Sequence, residues 1–174
     1  MLYPFQDKKP AISKDVYLAD GVKVIGDVEI KDHSSVWFNS VLRADLAPIL
    51  VGANTNIQDL SVIHVNRNQP TIIEDNVTIG HSVVLHACTI KKGSLIGMGS
   101  IILSGAEIGE YTLVAAGTLV PENKKFPSKV LLMGSPAKII RELNLEELEM
   151  MKKTNESYIN KGKEYLQVKK VDEL

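Results

Sequence analysis

The chain has 174 residues and a formal net charge of −1 at pH 7. That length allows one domain with a sizeable core, and the charge balance lacks the basic excess typical of nucleic-acid-binding proteins. Aromatic residues make up only 5% of the chain, which favours a narrow core of stacked aliphatic side chains over a sandwich or barrel. The single cysteine, Cys88, excludes an intramolecular disulfide framework. The first residues, 1–7, lack the pattern of a signal peptide, and no apolar run reaches the roughly 20 residues that span a bilayer. We therefore expect a cytoplasmic protein without a nucleic-acid or membrane partner.

An aliphatic residue recurs every five or six positions along most of the chain. The recurring residues are Ile25, Ile30, Val36, Leu42, Val51, Ile57, Ile63, Ile73, Ile79, Leu85, Ile90, Ile96, Ile102, Ile108, Val114 and Val120. A helical period of 3.6 does not hold this register, and simple strand alternation does not explain the glycines that follow several of these residues. The pattern predicts an all-β solenoid, a parallel β-helix with three hexapeptides per coil and one inward aliphatic residue per strand.

The predicted organisation is a single domain, 1–174, in four parts. They are a lead-in that caps the first coil (1–20), the β-helix (21–121), an exit segment (122–143) and a C-terminal α-helix (144–170). The period is interrupted twice, between Leu42 and Val51 and between Ile63 and Ile73, and both insertions are predicted to be surface loops.

The C-terminal helix is predicted from its capping residues and its apolar stripe. Asn144 is the expected N-cap, with Glu147 three residues later. The stripe comprises Leu145, Leu148, Met151, Tyr158, Ile159, Tyr165 and Leu166 and should pack on the β-helix or at a subunit interface. Gly162 should weaken the helix, and the lysines Lys161, Lys163, Lys169 and Lys170 should form a solvated face.

Counting three hexapeptides per coil stacks Leu42, Ile63 and Leu85 above one another. The residues that follow them, Arg43, His64 and His86, then stack on one face with neighbouring coils about 4.8 Å apart. At that separation the two imidazoles can bind one metal ion.

His81 belongs to a different face, because it follows Ile79, which stacks over Ile57. There it lies above Asp59 and beside Gln58, too far around the prism to join the other two histidines. A neighbouring chain could supply it if the two faces met in a heterologous contact. Since the prism has three sides, a homotrimer is the natural ring, with three sites that are each shared by two subunits.

Several segments together resemble the gamma-class carbonic anhydrase family over roughly residues 10–165. The matching stretches are Leu42-Arg43-Ala44-Asp45, Thr55-Asn56-Ile57-Gln58-Asp59, Ser61-Val62-Ile63-His64, Gly80-His81-Ser82-Val83-Val84-Leu85-His86-Ala87-Cys88 and Ile96-Gly97-Met98-Gly99. The resemblance implies a left-handed β-helix and a homotrimer that hydrates carbon dioxide to bicarbonate through a metal-bound hydroxide.

The resemblance also implies roles for individual residues. His64 and His86 of one chain and His81 of the next would hold zinc, although iron and cobalt suit three histidines equally well. Arg43 would pair with Asp59 across the interface, Asp45 would support the site, and Gln58 would lie near the metal-bound solvent.

The two insertions depart from the family pattern, because 46–50 and 65–70 contain no carboxylate. A fast hydratase must export a proton in every turnover, and an acidic loop residue serves this purpose in the family, so we expect low activity. Tyr158 is expected to approach the site from the terminal helix, as a tyrosine does in some short-loop members.

Two other functions remain open at this stage. The same β-helix occurs in hexapeptide acyltransferases, which act on coenzyme A thioesters, and a thioesterase is a related option. A metal-stabilised trimer with a binding or assembly role is the other. His33 is expected to be a surface or core residue, and Cys88 a small buried residue.

Overall fold

The computed structural model describes residues 1–168, and the predicted Lys169 and Lys170 lie outside this range. It contains twenty short strands and one helix. The strands are β1 (Leu2–Tyr3), β2 (Ala11–Ile12), β3 (Tyr17–Leu18), β4 (Lys23–Ile30), β5 (Ser35–Val36), β6 (Val41–Val51), β7 (Asn56–Ile57), β8 (Val62–His64), β9 (Thr71–Ile73), β10 (Thr78–Ile79), β11 (Val84–His86), β12 (Thr89–Ile90), β13 (Leu95–Ile96), β14 (Ile101–Ile102), β15 (Glu107–Ile108), β16 (Leu113–Val114), β17 (Leu119–Val120), β18 (Lys125–Phe126), β19 (Val130–Met133) and β20 (Lys138–Glu142). The helix, α1, spans Leu145–Tyr165.

Parallel pairing between successive coils builds a three-sided prism of about seven coils. Face 1 contains β8, β11, β14, β17 and the first halves of β4 and β6; face 2 contains β2, β9, β12, β15, β18 and the second halves of β4 and β6. Face 3 contains β3, β5, β7, β10, β13, β16 and β19, with β20 added antiparallel at its end. The predicted fold is confirmed: the chain is a left-handed parallel β-helix of hexapeptide repeats with a C-terminal helix.

The core is a single column of aliphatic side chains inside the prism. Face 1 contributes Val24, Leu42, Ile63, Leu85, Ile102 and Val120, each with no exposed surface. The inward position was predicted correctly from Ile30 onward but wrongly at Ile25, which is half-buried and stacks over Arg43. Val24 is the inward residue of that coil, because only Val24 stacks over Leu42 and keeps the six-residue spacing to Ile30.

Hydroxyl residues and glycines make the close approach of neighbouring coils possible. Buried serines and threonines at the corners donate to backbone carbonyls of the next coil, as Ser40 does to Gln58 at 2.9 Å and Ser61 to Gly80 at 3.1 Å. A Cβ on Gly80 would lie 2.8 Å from the carbonyl oxygen of Ile96, so only glycine fits the position directly before His81.

The first insertion is not a loop, and that prediction is wrong. Residues Val41–Val51 form one continuous strand, β6, which pairs with β8 at its start and with β9 at its end. The strand bends around the corner between faces 1 and 2 beside the equally continuous β4, with one irregularity in the register. The second insertion does leave the coil, in a tight turn closed by a bridge between Asn66 and Gln69.

Helix α1 begins as predicted, with a capping box in which Asn144 and Glu147 satisfy each other's backbone groups. It packs along β3, β5 and β7 of face 3. Gly162 is buried where the helix packs against Ser35, and a Cβ there would make an ordinary van der Waals contact with the Ser35 side chain at 3.4 Å. The predicted stripe is buried only in part: Met151 is 3% exposed, whereas Leu145 is 83% exposed. No helix within residues 1–168 is long and apolar enough to cross a membrane.

Candidate metal centre

Two of the predicted metal ligands lie side by side on face 1. The register pairs Arg43 with His64 and His64 with His86, as the repeat count predicted. The Nδ1 atom of His64 lies 3.2 Å from the Nε2 atom of His86. Two nitrogen ligands of one tetrahedral zinc ion are about 3.3 Å apart, given Zn–N bonds of roughly 2.0–2.1 Å. The spacing of this pair therefore fits a shared metal ion.

The other ring nitrogen of each histidine faces an oxygen acceptor. Nε2 of His64 lies 2.9 Å from Oδ1 of Asp45, and Nδ1 of His86 lies 2.8 Å from Oγ of Ser104. A proton on each outer nitrogen leaves both inner nitrogens unprotonated and facing each other. Metal-binding histidines are usually oriented by such partners.

Electrostatics favours the neutral form of His86. Burial lowers the pKa of His86, the neighbouring His64 lowers it further, and the carboxylate of Glu122 acts in the opposite direction without cancelling the effect. Burial alone would raise the pKa of Asp45, but hydrogen bonds from His64 and Arg43 outweigh it and hold the pKa below its usual value. An ionised carboxylate and neutral imidazoles are the protonation states that a metal site requires.

His81 lies on the far side of the corner between faces 3 and 1. Its coil position follows from the pairing of Ile79 with Ile57, and its Nδ1 lies 2.7 Å from Oδ2 of Asp59. The Nε2 atom thus remains for an external ligand on a side chain that is 42% exposed. Within residues 1–168 of a single chain, no three histidine, cysteine or acidic side chains converge on one point.

Two further predicted site residues lie on different sides of the site, Arg43 with His64 and His86, and Gln58 with Asp59 and His81. Arg43 forms an ion pair with Asp45 of its own chain, on the side of His64. Gln58 directly follows β7 and precedes Asp59; it is 5% exposed and donates from Nε2 to Oδ1 of Asn56 at 3.1 Å.

Tyr158 is not near the pair formed by His64 and His86. Its ring packs edge-on against Trp37 with the ring centroids 5.5 Å apart. Burial raises its pKa, and the charge of Asp59 raises it further. The structure therefore groups Tyr158 with Asp59 and His81.

Sequence reasoning missed Ser104, and the repeat count does not find it. This coil has 17 residues, because Leu85 pairs with Ile102, so the count places Leu103 over His86. Ser104 lies one residue further on, 18 residues after His86. Glu122 lies another 18 residues on. His33, the fourth histidine, lies exposed in a turn, and Cys88 is buried as expected.

Partly or fully exposed apolar residues flank the pair His64 and His86 and also flank His81. On face 1 the outward positions beside the histidine pair are Val41, Val62, Val84, Ile101 and Leu119. On the other side, Phe38 and Met98 occupy the positions one coil below Asp59 and one coil above His81, and Met98 is 59% exposed. These two surfaces are apolar patches that centre on the candidate ligands.

Comparison with known proteins identifies the family. The family model described as bacterial transferase hexapeptide (six repeats) matches residues 87–122. A Geobacillus kaustophilus protein named carbonic anhydrase is 47% identical over 165 residues, which cover 95% of this chain and 91% of that protein. The Arabidopsis thaliana protein named gamma carbonic anhydrase 2, mitochondrial, is 43% identical over 160 residues. The chain belongs to the gamma-class carbonic anhydrase-like family of hexapeptide-repeat proteins.

Members of this gamma-class family differ in length and in the names they carry. The aligned region covers 88% of this chain but only 58% of the Arabidopsis protein. A crystal structure of a Bacillus cereus protein described as a candidate acetyltransferase superposes with a TM-score of 0.93 at 48% identity, covering 94% of this chain and 95% of that one. The fold is therefore shared by proteins that carry the names of two different activities.

Proposed function

We propose that this protein is a metal-dependent carbonic anhydrase whose three sites each lie between two subunits of a homotrimer. His64 and His86 of one chain and His81 of the next are the metal ligands. The observation that carries the proposal is that each of these three histidines presents one ring nitrogen to an oxygen acceptor. The acceptors are Asp45, Ser104 and Asp59, at 2.9, 2.8 and 2.7 Å.

The surfaces around the histidines support a shared site. The apolar residues beside His64 and His86 on one chain and those around His81 on the other are suited to pack together. A contact between two different faces must close into a ring, and a three-sided prism favours three members. In such a ring Arg43 and Asp59 would face each other, although within one chain Arg43 pairs with Asp45 and Asp59 with His81.

Each residue has a defined task in this proposal. A bound zinc ion, or iron or cobalt, would make hydroxide available near neutral pH for attack on carbon dioxide, as is established for zinc carbonic anhydrases. Asp45 and Asp59 accept from the outer ring nitrogens and hold the imidazoles of His64 and His81 in the tautomer that binds metal, and the Ser104 hydroxyl can accept from His86 in the same way. Gln58 turns its Nε2 toward Asn56, which directs its Oε1 away from that contact and leaves it to accept a hydrogen bond from solvent or substrate. Tyr158, next to Asp59, lies on the side of the site that His81 supplies.

Neither insertion supplies a carboxylate for proton release, because 46–50 and 65–70 contain none. Glu122 is the acid whose charge acts on His86, and it follows β17 two coils above the histidine position. Its exposed side chain is suited to pass a proton to buffer. We keep the expectation of slow turnover, because an exposed surface acid is a less direct acceptor than a loop residue at the metal.

The direct test is carbon dioxide hydration by stopped-flow with a pH indicator, alongside metal analysis of protein purified without chelator. We expect about one metal per chain and hydration above the buffer rate, with both lost in His64→Ala and in His81→Ala. His33→Ala is the matched control, because His33 lies exposed in a turn, and it should keep both. A metal-loaded protein that does not hydrate carbon dioxide contradicts the proposal.

A coenzyme A-dependent acyltransfer or thioesterase activity is the second candidate, supported by the 48% identity to the Bacillus cereus protein described as a candidate acetyltransferase. It predicts binding of acetyl-coenzyme A by metal-free protein. Isothermal titration of metal-free and zinc-loaded protein with acetyl-coenzyme A separates the two functions. Binding that is independent of zinc and of His81 favours the transferase.

A further inference from the structure

A buried chain of polar side chains joins helix α1 to Gln58. Gln58 Nε2 donates to Asn56 Oδ1 at 3.1 Å, and Asn56 Nδ2 donates to Thr78 Oγ1 at 2.9 Å. On the other side of Thr78 lies the amide of Asn155, whose Nδ2 is 3.5 Å from the same hydroxyl and donates to the carbonyl of Asn54 at 3.0 Å. The four side chains are 1–6% exposed, so water does not substitute for these contacts.

The carbonyl partners of Asn155 determine the direction of the chain at its helix end. The Nδ2 atom of Asn155 faces the carbonyl oxygens of Asn54 and Val77, at 3.0 and 3.4 Å. Because a carbonyl oxygen can only accept, the nitrogen of Asn155 must lie on this side. The Thr78 hydroxyl then lies between two amide nitrogens, which can only donate, so its oxygen accepts from Asn56 and faces the longer contact from Asn155.

The order of donors continues from Thr78 to the site. Asn56 uses its nitrogen on Thr78, so its oxygen faces Gln58, and Gln58 uses its own nitrogen on Asn56. The oxygen of the Gln58 amide is consequently the atom that remains for the site. Without the donor on the helix side, Thr78 could instead donate to Asn56, and the reversed chain would present an N–H of Gln58 to the site.

We infer that Asn155 is a positioning residue, which acts through Thr78 and Asn56 to fix the orientation of the Gln58 amide. The inference rests on the proposed function for the task of Gln58, but the contacts themselves do not depend on a metal. It gives helix α1 a role beyond capping the solenoid, because 78 residues separate Asn155 from Val77 in the sequence. The helix thereby sets the chemistry of a side chain on face 3.

The first test measures the Gln58 amide directly in metal-free protein. Hydrogen exchange of the Gln58 side-chain NH₂ with water is followed by NMR, with its signals assigned from Gln58→Glu. Asn155→Leu and Thr78→Val should each raise the exchange rate about tenfold, which corresponds to the loss of about one buried hydrogen bond. Thr78→Val keeps the shape and strand preference of threonine, so it serves if the helix variant folds poorly.

The matched control is Thr89→Val. The pair Thr89-Ile90 in β12, on face 2, has the same sequence as Thr78-Ile79 in β10, on face 3. It should leave the Gln58 signals unchanged. Unchanged Gln58 exchange in folded Thr78→Val and Asn155→Leu overturns the inference. An equal change in Thr89→Val also overturns it, because the effect would then be a general loosening of the coils.

The second test connects the chain to activity. In the wild-type background, Asn155→Leu should lower kcat/KM for hydration about tenfold, and in the Gln58→Ala background it should have no further effect. An equal loss in both backgrounds identifies a structural role and contradicts the inference. Absence of hydration in the wild-type protein would contradict the proposed function instead, and the NMR result would still decide the role of Asn155.

Discussion

Asp45→Ala removes the acceptor that faces the outer nitrogen of His64. In the wild-type protein the carboxylate oxygen lies 2.9 Å from Nε2 of the histidine, and the side chain is 18% exposed. Its pKa is below the usual value because the hydrogen bonds from His64 and Arg43 outweigh the effect of burial. The group is therefore ionised at neutral pH and makes a charge-assisted hydrogen bond to the imidazole.

The size of the effect follows from the kind of hydrogen bond that is lost. Hydrogen bonds to charged groups contribute about 1.5–3 kcal/mol, and partners of metal-binding histidines typically change metal affinity by about 10–100-fold. Because Asp45 also pairs with Arg43 and is partly exposed, we expect the lower part of this range, about 10–30-fold weaker zinc binding. Ser104→Ala removes a neutral partner of His86 and should cost less, about 2–10-fold.

These affinities are measured by competition for zinc between metal-free protein and a chromophoric chelator. The assay is run at about pH 7.5, where free carboxylates are ionised and free imidazoles are mostly neutral. The matched control is Glu107→Gln, which removes a carboxylate paired with Lys91 on face 2. Zinc affinity should remain at the wild-type value in the control. The reasoning is refuted if Asp45→Ala binds zinc as tightly as wild type, or if Glu107→Gln weakens binding equally.

Three further predictions concern the fold. Burial raises the pKa of the Cys88 thiol to about 12, so it should resist alkylation in the native protein and react at once in denaturant; rapid native labelling would contradict its burial. Gly80→Ala places a Cβ 2.8 Å from the carbonyl oxygen of Ile96 and should lower the free energy of unfolding by about 1–3 kcal/mol. Urea denaturation measures this difference, and an unchanged free energy of unfolding would refute the steric argument. Hydrogen bonds from Arg141 lower the pKa of Glu147 from 4.5 to about 2, so its stabilising effect is complete above pH 4.5 and is lost as the pH falls toward 2. The stability difference between wild type and Glu147→Gln should therefore shrink as the pH falls from 4.5 to about 2, and a difference that keeps its full size at about pH 2 would contradict the pairing.

The register of the coils could be predicted because it depends on a count of residues. Three hexapeptides per coil placed His64 next to His86 and Ile79 over Ile57, and the structure has both pairs. Ser104 was missed, because this coil has 17 residues and the count places Leu103 over His86. The contact of Ser104 with His86 depends on the direction of the side chain.

The course of β6 could not be predicted from the period. An insertion usually leaves the coil as a loop, but the residues Val41–Val51 stay extended because β4 beneath them also continues around the corner and supplies pairing partners. The contact of Tyr158 with Trp37 is a second case, because it depends on how α1 lies across face 3. Tertiary packing, which no local pattern encodes, decides both features.

The central claim is that each metal site combines the His64 and His86 face of one subunit with the His81 face of its neighbour. It is tested by zinc content after His64→Ala and His81→Ala chains are unfolded, mixed in equal amounts and refolded together. Each variant alone should bind no zinc, whereas random mixed trimers should recover roughly one quarter of the sites, because an intact site needs one chain of each kind in the correct order. A mixture that folds into trimers but binds no zinc would contradict the shared site.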